Sequence, residues 1–302
     1  MHMQEAIRKA DALIEALPYI QSFAGRPVVI KFGGNAMEDE TIVNDVVEDA
    51  VFLATVGIRA IIVHGGGPQI SEAMTAAGLA PTFVHGLRVT DAATLDVVVR
   101  VLSEEINADI RRLVEAHGGR AYPGFRKGRS LLRARKKLHE VAAEDGSREV
   151  VDLGFVGDVV SVDTGPLLTA TAERSVAVVP PIGQDEAGQY YNLNADTAAA
   201  ALAGAMKAEK IVFLSNVHGI MREPGNTDTL LSTAEEGEVQ QLIEQGIITG
   251  GMLPKVRACI AALDAGVRKA HIIDGRLEHS LLLEIFTDKG VGTQILKDPA
   301  RD

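Results

Sequence analysis

The chain has 302 residues, 46% of them hydrophobic and only 4% aromatic, with 30 basic and 41 acidic side chains and a net charge of −11. That length can bury a large aliphatic core in one α/β domain or two lobes, and the charge excludes attachment to nucleic acid or anionic lipid by bulk electrostatics. Its single cysteine, Cys259, excludes an intrachain disulfide, and the absence of a signal-peptide pattern or an apolar run of membrane-spanning length leads us to expect a cytoplasmic protein with no membrane partner.

Residues 3–17 read as an amphipathic helix, with Ile7, Ala10, Ile14 and Leu17 on one face and Pro18 stopping it. Strand patterns follow at 27–32, 59–63, 157–162, 175–180, 210–215 and 268–273. Between and after them lie helix patterns at 39–56, 68–78, 91–116, 164–173, 194–206, 235–245, 251–266 and 278–285. This alternation predicts a doubly wound, mainly parallel sheet with right-handed crossovers. No internal repeat or low-complexity linker divides the chain. Cys259 lies on the apolar face of the helix over 251–266 and reads as core rather than nucleophile, and the eight histidines show no metal-ligand spacing, so no structural metal is expected.

The first two strands run straight into glycines: Val28-Val29-Ile30-Lys31-Phe32-Gly33-Gly34 and Ile61-Ile62-Val63-His64-Gly65-Gly66-Gly67. Bare backbone at a strand end lets an anion approach closely, and Pro68 then opens a helix whose N-terminus favours negative charge. Neither cluster is a Walker motif, and Ile70 stands where a dinucleotide-binding Gly-x-Gly-x-x-Gly needs its last glycine. A tight strand-to-helix turn would explain either cluster alone. Two clusters and Lys31 at the mouth of one sheet describe a phosphate-handling site.

Four more stretches carry polar residues that packing does not require: Gly86-Leu87-Arg88-Val89-Thr90, Tyr191-Asn192-Leu193-Asn194-Ala195-Asp196, Ser215-Asn216-Val217-His218-Gly219-Ile220 and Thr249-Gly250-Gly251-Met252-Leu253-Pro254-Lys255. Caps, turns and surface ion pairs would account for each singly. Gly124 to Lys137 holds seven basic residues and no acid. Without interleaved aromatics it reads as a solvated surface or a basic β-hairpin overhanging an anionic substrate, not as a nucleic-acid site.

Taken in order from Pro27 to Leu296, these motifs resemble the amino acid kinase family, and within it the kinases of N-acetyl-L-glutamate that arginine inhibits. The resemblance implies an αβα sandwich with a mainly parallel sheet of about eight strands. It implies transfer of a phosphoryl group from ATP, with Mg2+ carried on its phosphates rather than on protein ligands, to the side-chain carboxylate of N-acetyl-L-glutamate, the second step of arginine synthesis. An N-terminal helix over 1–22 would precede a kinase domain over 23–302, whose lobe at about 23–190 holds the amino acid and whose lobe at about 191–302 holds the nucleotide. Lys31 and Lys255 match the lysines that stabilise the transferring group, and Asp196 the carboxylate that orients them. Gly66, Gly67, Arg88 and Asn192 match the substrate contacts. Gly33, Gly34, Ser215, Asn216, Val217, Gly219, Ile220, Gly250, Gly251, Met252 and Lys255 match the nucleotide side.

The resemblance extends to control. Tyr19, Lys210, His279, Glu284 and Gly290 match an arginine effector site, and the N-terminal helix matches one that interlaces dimers into a homohexamer; a PII-type signal protein is a further partner of such enzymes. The basic segment over 125–149 is longer than usual in the family. Alternatives that stay open are a family kinase of glutamate, aspartate or carrier-linked aminoadipate, and a non-catalytic arginine sensor.

Overall fold

Two apolar runs lie side by side at the centre of the molecule. Strand β1 (Pro27–Phe32) pairs in parallel with β2 (Arg59–His64), and past its first residue each is buried throughout. Such unbroken burial needs cover on both sheet faces, which the helices provide. In the computed structural model, which describes residues 3–84, 86–142, 148–287 and 290–297, six further strands complete the sheet. They are β3 (Arg120–Pro123), β4 (Ser175–Val179), β5 (Lys210–Ser215), β6 (Thr233–Glu235), β7 (Lys269–Asp274) and β8 (Thr293–Leu296). The order across the sheet is β6-β8-β7-β5-β1-β2-β4-β3, with every neighbouring pair parallel except β7 and β8. The eight-stranded, mainly parallel sheet implied by the resemblance is present.

Period two along each strand divides the core. Val29, Ile61, Val63, Ile211 and Phe213 face helices α7 (Ala195–Ala205) and α9 (Met252–Asp264). Val28, Ile30, Phe32, Ile62 and Val212 face α2 (Glu40–Thr55) and the long helical rod over 92–116. By the same alternation Lys31 points to the α7 and α9 side, and His64 to the rod.

Four features differ from the sequence reading. The N-terminal helix α1 (Met3–Phe23) continues through Pro18. Proline removes one intrahelical donor, but the turn beyond it docks on the body, where Phe23 lies 5.2 Å from Lys210 Nζ. The strand at Val156–Val162 leaves the main sheet. It pairs with Leu132–Lys136 and Tyr190–Leu193 in a small closed barrel that also contains Ile182–Gln184. The helix expected over 91–116 is one rod of three pieces, Ala92–Val99, a wide π segment Arg100–Ile106, and Asn107–Ala116. The π segment sets Leu102 and Ile106 over Gly66, where an added Cβ would come within 2.7 and 2.6 Å of their methyl groups. Finally, β3, β6 and β8 are short strands that the sequence reading passed over. Among the described residues no helix is long and apolar enough to cross a membrane.

Candidate active site

Asn194 caps α7, its side chain accepting from the N–H groups of Asp196 and Thr197 at 3.0 Å. That places Asp196 in the first helical turn, where the helix dipole favours a carboxylate. Lys31 Nζ, at the end of β1, lies 2.6 Å from Asp196 Oδ1, and Lys255 Nζ, in the first turn of α9, lies 3.4 Å from Oδ2. Lys31 and Asp196 are buried and Lys255 is partly open. Burial pushes the Asp196 carboxyl up, but the two ammonium groups outweigh it and hold it below the usual range. The Lys31 ammonium is pulled down by burial and by Lys255 against the opposing field of Asp196. Three charges sharing one buried corner thus leave a net positive centre.

The glycines are required by contact. The ends of β1 and β2 press together so closely that a Cβ on Gly33 would sit 3.0 Å from Gly65 Cα and 3.3 Å from Lys31 Nζ. Gly65 donates its N–H to Phe32 O at 2.8 Å, and Gly66 and Gly67 lead into α3 (Gly67–Ala76) with Pro68 in its first turn. His64 is fully buried behind the loop. Its Nδ1 bonds Gly65 O at 2.8 Å, Asn107 Nδ2 faces its Nε2 at 3.3 Å, and burial pushes its pKa down to about 4. Neutral, it braces the glycine turn.

A cavity of about 250 Å³ opens at this turn, lined by Gly34, the 65–67 glycines, Arg88 and Asn192 among others. Arg88 is held on α3, with Nη2 donating to Gly67 O at 2.9 Å and Ser71 Oγ at 2.7 Å, and its guanidinium carbon 4.6 Å from the Phe83 ring centre. Asn192 Nδ2 donates to Thr90 Oγ1 at 3.2 Å. The structure therefore brings together Lys31, Asp196, Lys255, Gly66, Gly67, Arg88 and Asn192 along one carboxyl edge of the sheet, where open α/β sheets bind ligands.

The residues matched to the nucleotide side occupy neighbouring strand ends. Ser215 closes β5 and is buried, Asn216 is exposed and Val217 half-buried. Gly219 has φ +145°, and a Cβ there would meet Thr293 Oγ1 at 2.6 Å. Ile220 turns into the core, and its N–H donates to Thr293 Oγ1 at 2.8 Å, so it shapes this wall from behind. Gly250 (φ +55°) and Gly251 are exposed at the approach to α9, and the Met252 N–H donates to Thr249 O at 3.2 Å. The sequence reading missed Asp274, buried at the end of β7 and gripped by Arg276 through Nε at 2.9 Å and Nη2 at 2.7 Å, with His218 Nδ1 at 2.9 Å. Its position just before Gly275 follows the strand-then-glycine pattern that flagged Lys31. Thr90 stands in the motif over 86–90 but was not singled out as a site residue, and no motif marks Ser71.

The basic segment does form a hairpin, Phe125–Arg126 with Arg129–Ser130, but it does not line the Arg88 cavity. Its cations pair with later acids, Arg129 with Asp163 at 2.7 Å, Lys136 with Asp152 at 2.8 Å and Lys137 with Asp158 at 2.6 Å. Residues 143–147 of the long segment lie outside the described residues.

A second cavity, about 410 Å³, lies at the amino end of β5 and is lined by Tyr19, Lys210, Glu284 and Gly290 among others. Lys210 Nζ donates to Glu284 O at 3.2 Å, and the Glu284 carboxylate meets His271 Nδ1 at 2.6 Å and the Val291 N–H at 3.0 Å. Burial raises the Glu284 carboxyl, but these partners outweigh it and leave it below the usual range. Gly290 has φ +62° and lies so close that a Cβ would strike Glu284 Oε2. His279 is not among the lining residues. It precedes α10 (Ser280–Ile285) and turns to α2, with Nδ1 2.7 Å from Asp49 Oδ1. The histidine beside Glu284 is His271.

Residues 26–274 match the description "Amino acid kinase family". The chain is 49% identical to an acetylglutamate kinase of Geotalea daltonii, covering 97% of this chain and 99% of that protein. It is 48% identical to an acetylglutamate kinase of Methanocaldococcus jannaschii, covering 99% of each. Among solved structures, N-acetylglutamate synthase from Neisseria gonorrhoeae complexed with coenzyme A and N-acetyl-glutamate matches at TM-score 0.79 and 27% identity, over 96% of this chain and 63% of that longer one. The same synthase complexed with coenzyme A and L-arginine matches at TM-score 0.75 and 29% identity, over 96% and 65%. By sequence along nearly its whole length, the chain belongs to the amino acid kinase family.

Proposed function

We propose that the chain transfers the γ-phosphoryl group of ATP to the side-chain carboxylate of N-acetyl-L-glutamate, giving N-acetyl-L-glutamyl 5-phosphate. The observation that carries this is the pair of lysines bridged by Asp196, which follows directly on Asn194 and Ala195 in the wall of the glycine-lined cavity. A carboxylate is already ionised at neutral pH, so the reaction needs no general base. Its obstacle is the approach of two anions and the charge spread over the phosphoryl oxygens as bonds exchange. Lys31 and Lys255 supply fixed positive charge there, and Asp196 offsets their repulsion and fixes their direction. Arg88, with its planar fork, suits the substrate's α-carboxylate. Gly66 and Gly67 give close backbone approach at a helix N-terminus. Mg2+, entering on the phosphates of ATP, would neutralise part of their charge.

Control is part of the reading. The cavity at the amino end of β5 would take free arginine, its guanidinium on Glu284 and its carboxylate near Lys210. The exposed face of α1 would pack on a second copy in a homohexamer, and a PII-type protein is a further candidate partner. The similarity to a synthase solved with L-arginine supports looking there first.

Hydroxylamine trapping tests the activity. The acyl phosphate made from N-acetyl-L-glutamate and ATP should appear as a hydroxamate. A signal confined to glutamate or aspartate would move the assignment to another carboxylate kinase of the family.

A further inference from the structure

Arg88 and Asn192 come from distant parts of the chain, and one hydroxyl joins them. Thr90 is fully buried, and its Oγ1 lies 3.0 Å from Arg88 O and 3.2 Å from Asn192 Nδ2. A carbonyl has no proton to give, so the hydroxyl must spend its only proton on Arg88 O. Toward Asn192 it can then only accept, which requires the nitrogen end of that amide. Asn192 Oδ1 is thereby the end left for the cavity that Asn192 lines.

The backbone around Thr90 is tied as firmly. Its N–H donates to Leu153 O at 2.9 Å, its carbonyl accepts from Phe155 N at 2.6 Å, and the Asn192 N–H donates to Phe155 O at 2.9 Å. Gly154, between those partners, has φ +75°, and a Cβ there would come within 2.1 Å of Thr90 O. The guanidinium of Arg88 is fixed at its far end by Gly67 O and Ser71 Oγ. Residues 88–90, 153–155 and 192 thus form one rigid corner with Thr90 at its centre.

We propose that Thr90 is a positioning residue for the amino-acid substrate: its hydroxyl holds Arg88 and Asn192 in fixed relation and commits Asn192 Oδ1 to accept a hydrogen bond from the substrate's acylamino N–H. The proposal rests on the reading of this cavity as the N-acetyl-L-glutamate site. Nothing in it touches the nucleotide, so the effect belongs to one substrate only.

The test is steady-state kinetics on Thr90→Val, Thr90→Ser and Asn192→Ala, singly and combined, with melting curves for each. Hydroxamate formation by the unaltered enzyme comes first, and its absence would withdraw the underlying reading along with the proposal. With activity present, Thr90→Val should raise KM for N-acetyl-L-glutamate about tenfold, the scale of one or two lost hydrogen bonds, and leave KM for ATP within about twofold. Thr90→Ser should restore most of the loss. In the Asn192→Ala background Thr90→Val should add little, because both changes remove the same contact. If Val is not accommodated, Thr90→Ala removes the hydroxyl without added bulk and should show the same selective rise. An unchanged KM, equal rises for both substrates, or full additivity with Asn192→Ala would overturn the proposal.

Discussion

The two ends of strand β5 and its neighbour β1 carry similar groups with different charge. At the carboxyl end a buried lysine, Lys31, meets a carboxylate, Asp196, and a second lysine, Lys255, joins them. At the amino end a buried lysine, Lys210, meets a carboxylate residue, Glu284, and the third member is His271. Register places Lys210 opposite Val28 and Lys31 opposite Phe213, so three residues of strand, roughly 10 Å, separate the two levels. Burial pushes the His271 imidazole toward neutrality against the pull of Glu284. The carboxyl-end trio therefore carries a net positive charge and the amino-end trio none. Only the first offers the net positive charge that a transferring phosphoryl group needs; the second has no net charge to repel a ligand carrying groups of both signs.

The largest effects should follow that division. Lys31→Ala or Lys255→Ala should lower kcat on the order of a hundredfold to a thousandfold, about 3–4 kcal/mol, as for loss of one preorganised charge-stabilising group. Glu284→Gln should leave kcat within a few-fold and abolish inhibition by free arginine. Initial rates with and without arginine measure both. Lysine variants within a few-fold of the parent, or a Glu284 variant that loses turnover as heavily, would erase the distinction between the ends.

Much of the carboxyl end is legible in the sequence because strand periodicity and strand-end glycines are local signals. Lys31 sits inside a β-branched run, and its neighbours Ile30 and Phe32 belong to the opposite face, so its side was readable. The amino end was harder. His271 lies mid-strand among apolar residues and looks like core, while His279 stands at a helix start and looks functional; only the crossing of β7 beneath α10 shows which one meets Glu284. The small barrel was missed because its strands pair out of chain order and burial along Val156–Val162 fades along the strand instead of alternating between faces. Thr90 stood in a flagged motif, but its bridging role was not legible, because its partners lie 2 and 102 residues away.

Acid should separate the ends next. His64, at the carboxyl end, has its pKa lowered to about 4 by burial, from an ordinary 6.5. Between those values the unfolded chain takes up a proton that the folded chain refuses. The stability tied to neutral His64 is thus complete above pH 6.5 and drains away as pH falls to about 4, up to about 3 kcal/mol. His271, at the amino end, is lowered in the same sense by burial, but Glu284 beside it favours its charged form, a counterweight that His64 lacks. Urea midpoints between pH 7 and pH 4.5 should fall less steeply for His64→Gln than for the parent. Parallel slopes would mean that His64 already titrates normally in the fold.

The smallest effect on catalysis should come from removing α1, although it changes the amino end most. None of its 21 residues is buried, and none lines the Arg88 cavity. Yet Met3, Ile7, Leu13, Ile14 and Leu17 are all exposed large apolar side chains, a surface that water disfavours and a partner would cover. Residues 3, 7, 10, 14 and 17 alternate in steps of four and three, the seam by which two helices pack along their length, so a second copy of the same helix is the expected cover. The last turn of α1 closes the other cavity, where Tyr19, Ser22 and Phe23 stand beside Lys210 and Glu284. On the proposed reading one element would join assembly to the effector end, and arginine would act by favouring one arrangement of that joint over another. Deleting residues 1–22 should leave kcat within a few-fold, reduce the mass in solution to that of a smaller oligomer, and weaken inhibition by arginine. Light scattering and arginine titrations on both proteins measure the outcome. Unchanged mass together with unchanged inhibition would detach α1 from control and leave the amino-end cavity to work without it.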